Sequence, residues 1–179
     1  MLQLARALAN NDEKFFGGWI LAGVEAHVKG SAVHFTNKTV LSKARKAILD
    51  VEGASAFGTV LKRLRTFLIL PVENTTDNLA EENVPEGRLL FAHYFTPQEI
   101  ADYVAYTGDE NIIHKGEHPI VPGLCMACWL QEKLGLDSLD WRISFLHKVY
   151  ANELVSFYTK DDQLLAYVDK TLAFTVKIL

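Results

Sequence analysis

From Gly123 to Leu130 the chain reads Gly-Leu-Cys-Met-Ala-Cys-Trp-Leu, eight residues without a strongly polar side chain. With Pro122 before it and Gln131 to Leu134 after it, the stretch predicts a helix over 122–134. A helix that is apolar around its whole circumference must be enclosed on nearly every side. Four runs follow it: Trp141 to Val149, Leu154 to Thr159, Leu164 to Val168 and Thr171 to Leu179. Each alternates with the two-residue period of a half-buried strand, and in the last Leu172, Phe174, Val176 and Ile178 share a face. Asp161-Asp162 marks a hairpin turn. The predicted class is α+β, an antiparallel sheet wrapped around one long apolar helix.

The residues before that helix supply both structure and chemistry. Arg88 to Phe95 reads as a strand, and Thr96-Pro97-Gln98-Glu99 is a capping box with Pro at the first helical position. The helix that starts there packs Ile100, Tyr103 and Val104 inward, and Gly108, able to turn left-handed, ends it. Asp109 to His114 then becomes a short irregular crossing segment, in which a carboxylate and an imidazole can converge on one small volume. At ordinary acidities a carboxyl is ionised and an imidazole mostly neutral at pH 7, so such a pair can hold a water and move its protons. The free backbone N–H groups of Gly123 and Leu124, at the start of the apolar helix, can hold a developing oxyanion.

Gly108-Asp109-Glu110-Asn111-Ile112-Ile113-His114 and Pro119-Ile120-Val121-Pro122-Gly123-Leu124 resemble the signature of the MaoC-like hydratase/dehydratase family, Gly-Asp-x-Asn-Pro-x-His leading to Pro-Ile-Val-x-Gly. Ile112 stands where that signature has Pro, and the stretch from His114 to Pro119 is shorter than usual. His114 to Gly123 also resembles the 3-hydroxyacyl-carrier-protein dehydratases. Those enzymes hold a catalytic acid within the following helix, where this chain has Cys128, so the MaoC-like resemblance with Asp109 as the carboxylate prevails.

The resemblance covers about the last ninety residues. It implies a hot-dog fold and interconversion of 2-enoyl and 3-hydroxyacyl thioesters, as in the (R)-specific enoyl-CoA hydratases. It makes Asp109 and His114 catalytic, with Gly123 and Leu124 as the oxyanion hole and Asn111 and Gly108 in support. No metal or cofactor is implied. The substrate would ride on coenzyme A or an acyl carrier protein, and the acyl tunnel would form between two hot-dog units of a homodimer or higher assembly. A hot-dog thioesterase, or a non-catalytic acyl-binding or assembly module, stands as the alternative.

Composition bounds the remainder. The chain has 179 residues, 49% hydrophobic and 22% charged, with a net charge of −4, a globular balance that gives no support to nucleic-acid binding. No apolar run approaches a membrane span, and Arg6 interrupts the start, so a cytoplasmic location is expected. Cys125 and Cys128, inside the apolar helix, read as small buried hydrophobes. His93, His118 and His147 read as surface or strand histidines.

Residues 1–72 form an N-terminal region, either an α/β extension or a degenerate second hot-dog unit. Its pattern predicts a hairpin of Trp19 to Val28 with Ala32 to Phe35. A helix over Lys38 to Asp50 is then predicted, burying Val40, Leu41, Ala44 and Ile48. Thr59 to Leu70 fits helix or strand. Lys38, Lys43, Arg45, Lys46, Lys62, Arg63 and Arg65, against Asp50 and Glu52, read as a solvated helix face or a phosphate-binding patch. Residues 73–87, with five acids and no base, read as a linker or loop, and 88–179 as the MaoC-like domain.

Overall fold

The computed structural model describes residues 1–10, 17–71 and 84–179, so the predicted linker 73–87 lies outside the described residues as far as position 83. A first helix, α1 (Leu2–Ala9), precedes four strands, β1 (Ile20–Val28), β2 (His34–Lys43), β3 (Lys46–Ala54) and β4 (Val60–Ile69). Then come β5 (Arg88–Tyr94), helix α2 (Pro97–Thr107), a single 3-10 turn (Ile112–His114) and helix α3 (Gly123–Lys133). Strands β6 (Leu139–Phe145), β7 (Leu154–Lys160), β8 (Gln163–Val168) and β9 (Thr171–Ile178) complete the chain.

All nine strands form one antiparallel sheet in the order β2-β3-β4-β1-β6-β9-β8-β7-β5. Its two halves meet at β1 and β6, from Gly23 opposite Ser144 to Val28 opposite Leu139. The larger of two hydrophobic clusters among the described residues crosses the seam. It joins Leu4 of α1, Val24 of β1, Val51 of β3 and Leu64 of β4 to Leu124 and Leu130 of α3, Ile143 of β6 and Phe174 of β9. As expected of the apolar helix, Leu124 to Ala127 and Leu130 are buried. Trp129 stacks on Phe157 of β7 and meets Phe91 of β5 edge-on, with ring centroids 5.4 and 5.7 Å apart.

Helix α2 forms as the sequence dictates. Thr96 Oγ1 accepts from the Glu99 N–H and the Glu99 carboxylate accepts from the Thr96 N–H, a complete capping box. Gly108 closes the helix at φ 77°, a left-handed conformation that glycine adopts without strain.

The first half departs from expectation. Lys38 to Asp50 is not a helix but the β2–β3 hairpin, turning at Ala44-Arg45. The buried residues of β3 are Ala47, Leu49, Val51 and Gly53, every second position, so the two-residue period prevails over the helical spacing of Val40, Leu41, Ala44 and Ile48. Residues 20–28 are a strand, yet β1 does not pair with the segment at 32–35. Its neighbours are β4 and β6, because β3 and β4 come between β1 and β2 in the sheet. The ambiguous 59–70 stretch is strand β4. The basic patch therefore lies on strands and the β2–β3 turn, not on a helix face, and two of its cations are spoken for across the β3–β4 pair. Arg65 grips Asp50 at 2.7 and 2.8 Å, and Arg63 meets Glu52 at 3.3 Å.

Candidate active site

Where α2 stops, the chain crosses to α3 through a loop tied down by its own polar groups. Thr107 Oγ1 donates to the Tyr103 carbonyl at 2.8 Å and accepts from the Asp109 N–H at 3.4 Å. Asp109 Oδ1 accepts from the Asn111 N–H at 3.2 Å, an Asx turn that leaves Oδ2 on the side of His114. The Asn111 side chain is buried and reaches back to the first half. Its Nδ2 donates to the Trp19 carbonyl at 2.7 Å, while its Oδ1 accepts from Gly18 N–H at 3.2 Å. Asn111 thus braces the crossing loop against the segment entering β1.

His114 ends the 3-10 turn with its ring held from behind. Nδ1 lies 2.7 Å from the Ile120 carbonyl, a group that only accepts, so Nδ1 carries the proton and Nε2 presents its lone pair. Nε2 lies 3.6 Å from Asp109 Oδ2, too far for a direct hydrogen bond and close enough for one small molecule to touch both. The His114 side chain is 7% exposed and that of Asp109 25%. Burial pushes the imidazole below its ordinary pKa, against the opposing pull of the Asp109 charge and the Ile120 carbonyl, and keeps it neutral at pH 7.

Both side chains line a cavity of about 470 Å³. Gly123 and Leu124, the first residues of α3, line it too, and Pro122 at the N-cap offers their N–H groups no side-chain acceptor. An added Cβ at Gly123 would come within 2.8 Å of Leu21 and 2.9 Å of Phe145. Glycine therefore lets the tips of Leu21 and Phe145, from β1 and β6, pack close against the start of α3, and both side chains also wall the cavity.

The first half contributes more to this cavity than the sequence suggests. Leu8 of α1, Trp19, Leu21, Arg45 and Leu68 all line it, joined by His147 and Lys148 after β6. The missed signal was the strand pairing: once β1 is placed beside β6, the segment entering β1 must face the α3 N-terminus. His147 therefore belongs to the cavity wall. His93 is a strand histidine on β5, stacked on Trp129 and 2.9 Å from Glu99, and His118 is exposed.

Cys125 and Cys128 remain free thiols within α3, where burial pushes them up to about 12 and about 11. Both are therefore neutral at physiological pH. Among the described residues no group of three or more His, Cys, Asp or Glu side chains is placed to hold a metal ion. No described helix is long and apolar enough to cross a membrane.

No family model matches the sequence, and no curated protein matches it. Solved structures do resemble it. HtdX of Mycobacterium tuberculosis superposes with a TM-score of 0.66 at 17% identity, over 91% of this chain and 78% of that one. A MaoC-like dehydratase from Phytophthora capsici gives 0.57 at 13%, over 90% and 72%. An acyl-ACP thioesterase from Bacteroides thetaiotaomicron gives 0.58 at 6%, over 90% and 75%. These likenesses span both halves of the chain, including the N-terminal region that carries no motif. At such identities they speak to fold and not to reaction: the chain has the hot-dog fold, an α+β arrangement that its structural neighbours use in dehydratases and in acyl thioesterases alike.

Proposed function

We propose that the protein interconverts 2-enoyl and 3-hydroxyacyl thioesters by acid-base catalysis on water at Asp109 and His114. One observation carries the reading: a carboxylate oxygen and an unprotonated imidazole nitrogen, 3.6 Å apart, open onto an apolar cavity at the uncapped start of α3. In hydration, the water oxygen bonds to the β carbon as one of its O–H bonds breaks. That proton passes to the pair, and the pair returns a proton to the α carbon, so none is gained or lost overall. The negative charge that builds on the thioester oxygen between these events is held by the N–H groups of Gly123 and Leu124. Dehydration is the reverse.

Asn111 and Gly108 act by holding the loop rather than by touching the substrate. The acyl group lies between the segment entering β1 and the start of α3, so residues 1–72 serve as the partner half for 88–179. The acyl carrier, coenzyme A or a carrier protein, sits outside the cavity on this reading.

The test uses purified protein and crotonyl-CoA. Hydration consumes the enoyl absorbance without releasing thiol. Thiol release without prior hydration would instead favour a hot-dog thioesterase working from the same residues. Asp109→Asn and His114→Ala are each expected to lower hydration by at least about a hundredfold, the scale on which a general acid or base contributes. Because both act on one water, the double variant should lose little more than either single one. Hydration at the wild-type rate by the Asp109→Asn protein, with an unchanged melting temperature, would overturn the assignment.

A further inference from the structure

Tyr103 lies on the inward face of α2, is 7% exposed, and lines the same cavity as Leu8 of α1 and Met126 of α3. Its carbonyl is used by Thr107, but its hydroxyl meets no hydrogen-bond partner among the described residues. Nor is it sealed in, since the one fully occluded side-chain oxygen without a hydrogen bond among those residues is Asp140 Oδ1, which faces His27 Nδ1 at 2.7 Å. The open space left to the Tyr103 hydroxyl is the cavity. Elsewhere buried polar groups are paired, and one that is not marks a place where something else is meant to pair with it.

Its position along the cavity follows from helix geometry. Tyr103 stands four residues before the last residue of α2, Thr107, roughly 6 Å along the axis and further from Asp109 beyond it, and side chains on a helix lean toward its N-terminus. The hydroxyl is therefore displaced from the Asp109–His114 pair toward the α1 side of the cavity, where an acyl chain continues past its reacting carbons. The groups that act on it are the Cys125 and Cys128 thiols and the Asp109 carboxylate. Burial above all pushes its pKa well above the ordinary phenol value, so it stays an O–H donor. A plain hydrocarbon chain laid against it would strip its water and offer nothing in return, and a site of that kind discriminates strongly against the ligand that lacks the partner.

We propose that Tyr103 is a specificity-determining residue, whose hydroxyl hydrogen-bonds an oxygen on the acyl chain beyond the reacting carbons. The cavity would then take hydroxy- or keto-substituted acyl thioesters in preference to plain ones. This rests on the acyl-thioester reading of the cavity but not on which reaction occurs there.

The test is equilibrium binding by the full-length protein of octyl-CoA thioethers, which neither hydration nor hydrolysis consumes. The plain octyl compound is compared with a series bearing one hydroxyl at successive carbons from the fifth to the eighth. At one position the hydroxyl should tighten Kd by about fivefold, the scale of one net hydrogen bond. Tyr103→Phe should abolish that gain while binding the plain compound at least as tightly as wild type. Wild-type affinities that ignore the hydroxyl at every position would overturn the proposal. So would a Tyr103→Phe protein that keeps the gain, or that weakens plain and hydroxylated compounds equally. Binding of the plain compound without selectivity sinks this inference alone, whereas failure of wild type to bind any member sinks the acyl-thioester reading with it.

Discussion

Nε2 of His114 can accept a proton only while the imidazole is neutral, and burial is what keeps it neutral. The sign of the pH dependence follows. The folded-state pKa lies below the ordinary 6.5, so between those two values the unfolded chain binds a proton that the folded chain refuses. The stabilisation is fully present above the ordinary value and is lost as pH falls through the folded one. Hydration should therefore hold level through neutrality, with its acid limb below 6.5 in a kcat/KM profile. An acid limb above that value would assign the base elsewhere. In parallel, His114→Gln should flatten the decline in melting temperature on the acid side of pH 6.5. The residues of this candidate site were legible in the sequence because turn chemistry fixed them locally: the Gly108 N–H donates to the Val104 carbonyl, the Asp109 N–H to Thr107 Oγ1 and the Asn111 N–H to Asp109 Oδ1, all within a few positions. What Asn111 braces was not legible, because Trp19 lies 92 residues away and nothing in its own neighbourhood marks it as the partner.

At the scale of elements, the contrast between α2 and the β2–β3 hairpin explains which parts of the fold could be read. Helix α2 carries its own start and stop, the Thr96 to Glu99 capping box and Gly108. The turn at Ala44-Arg45 carries no Gly, Asn or Asp, and β2 is exposed along most of its length, so it shows no alternation to report a strand. Its geometry is held from outside, by Arg45 donating to the Leu70 carbonyl at 2.7 and 3.0 Å. The junction of β1, β6 and α3 yields a sharper test. Gly123→Ala forces Leu21 and Phe145 to move, and both border the cavity, which can receive them. The cost in stability should then fall at the low end for overpacking, about 1 kcal/mol, or a drop in Tm of about 2–4 °C. On the proposed acyl-thioester reading the displaced side chains take up space meant for the acyl chain, so KM should rise with acyl length across a series of 2-enoyl thioesters. A length-independent effect would separate Gly123 from the substrate channel.

For the whole molecule, continuity of the sheet changes where a partner could attach. A lone hot-dog unit would leave its β6 edge uncovered and so favour a homodimer, but β1 covers that edge within one chain. The outermost strands are β2 and β5. Lysines on β2 discourage further pairing, whereas β5 exposes Leu89 and Tyr94 at 53% and 54%. Self-association is accordingly expected at β5. Sedimentation should show a dimer that Leu90→Lys, an exposed change on that strand, converts to monomer, and a wild-type monomer would remove the expectation.

The sequence motif ends its reach near residue 88, but the core does not. Val24, Val28, Val51 and Leu64 belong to the same cluster as α3 and β6. A fragment of residues 88–179 would expose the β6 edge together with the apolar surface those side chains cover. Burial of that surface stabilises by about 25 cal/mol per Å², and a marginally stable domain has little to spare against its loss. The fragment expressed alone should therefore aggregate or lack fixed tertiary structure by near-UV circular dichroism. Co-expressed with residues 1–72, it should co-purify as a complex and recover a cooperative thermal transition. Enoyl hydration should return with the complex, because the cavity takes residues from both halves. A fragment 88–179 that melts cooperatively as a monomer would show that the motif-bearing half is self-sufficient, and would reduce the first half from a wall of the site to an appendage.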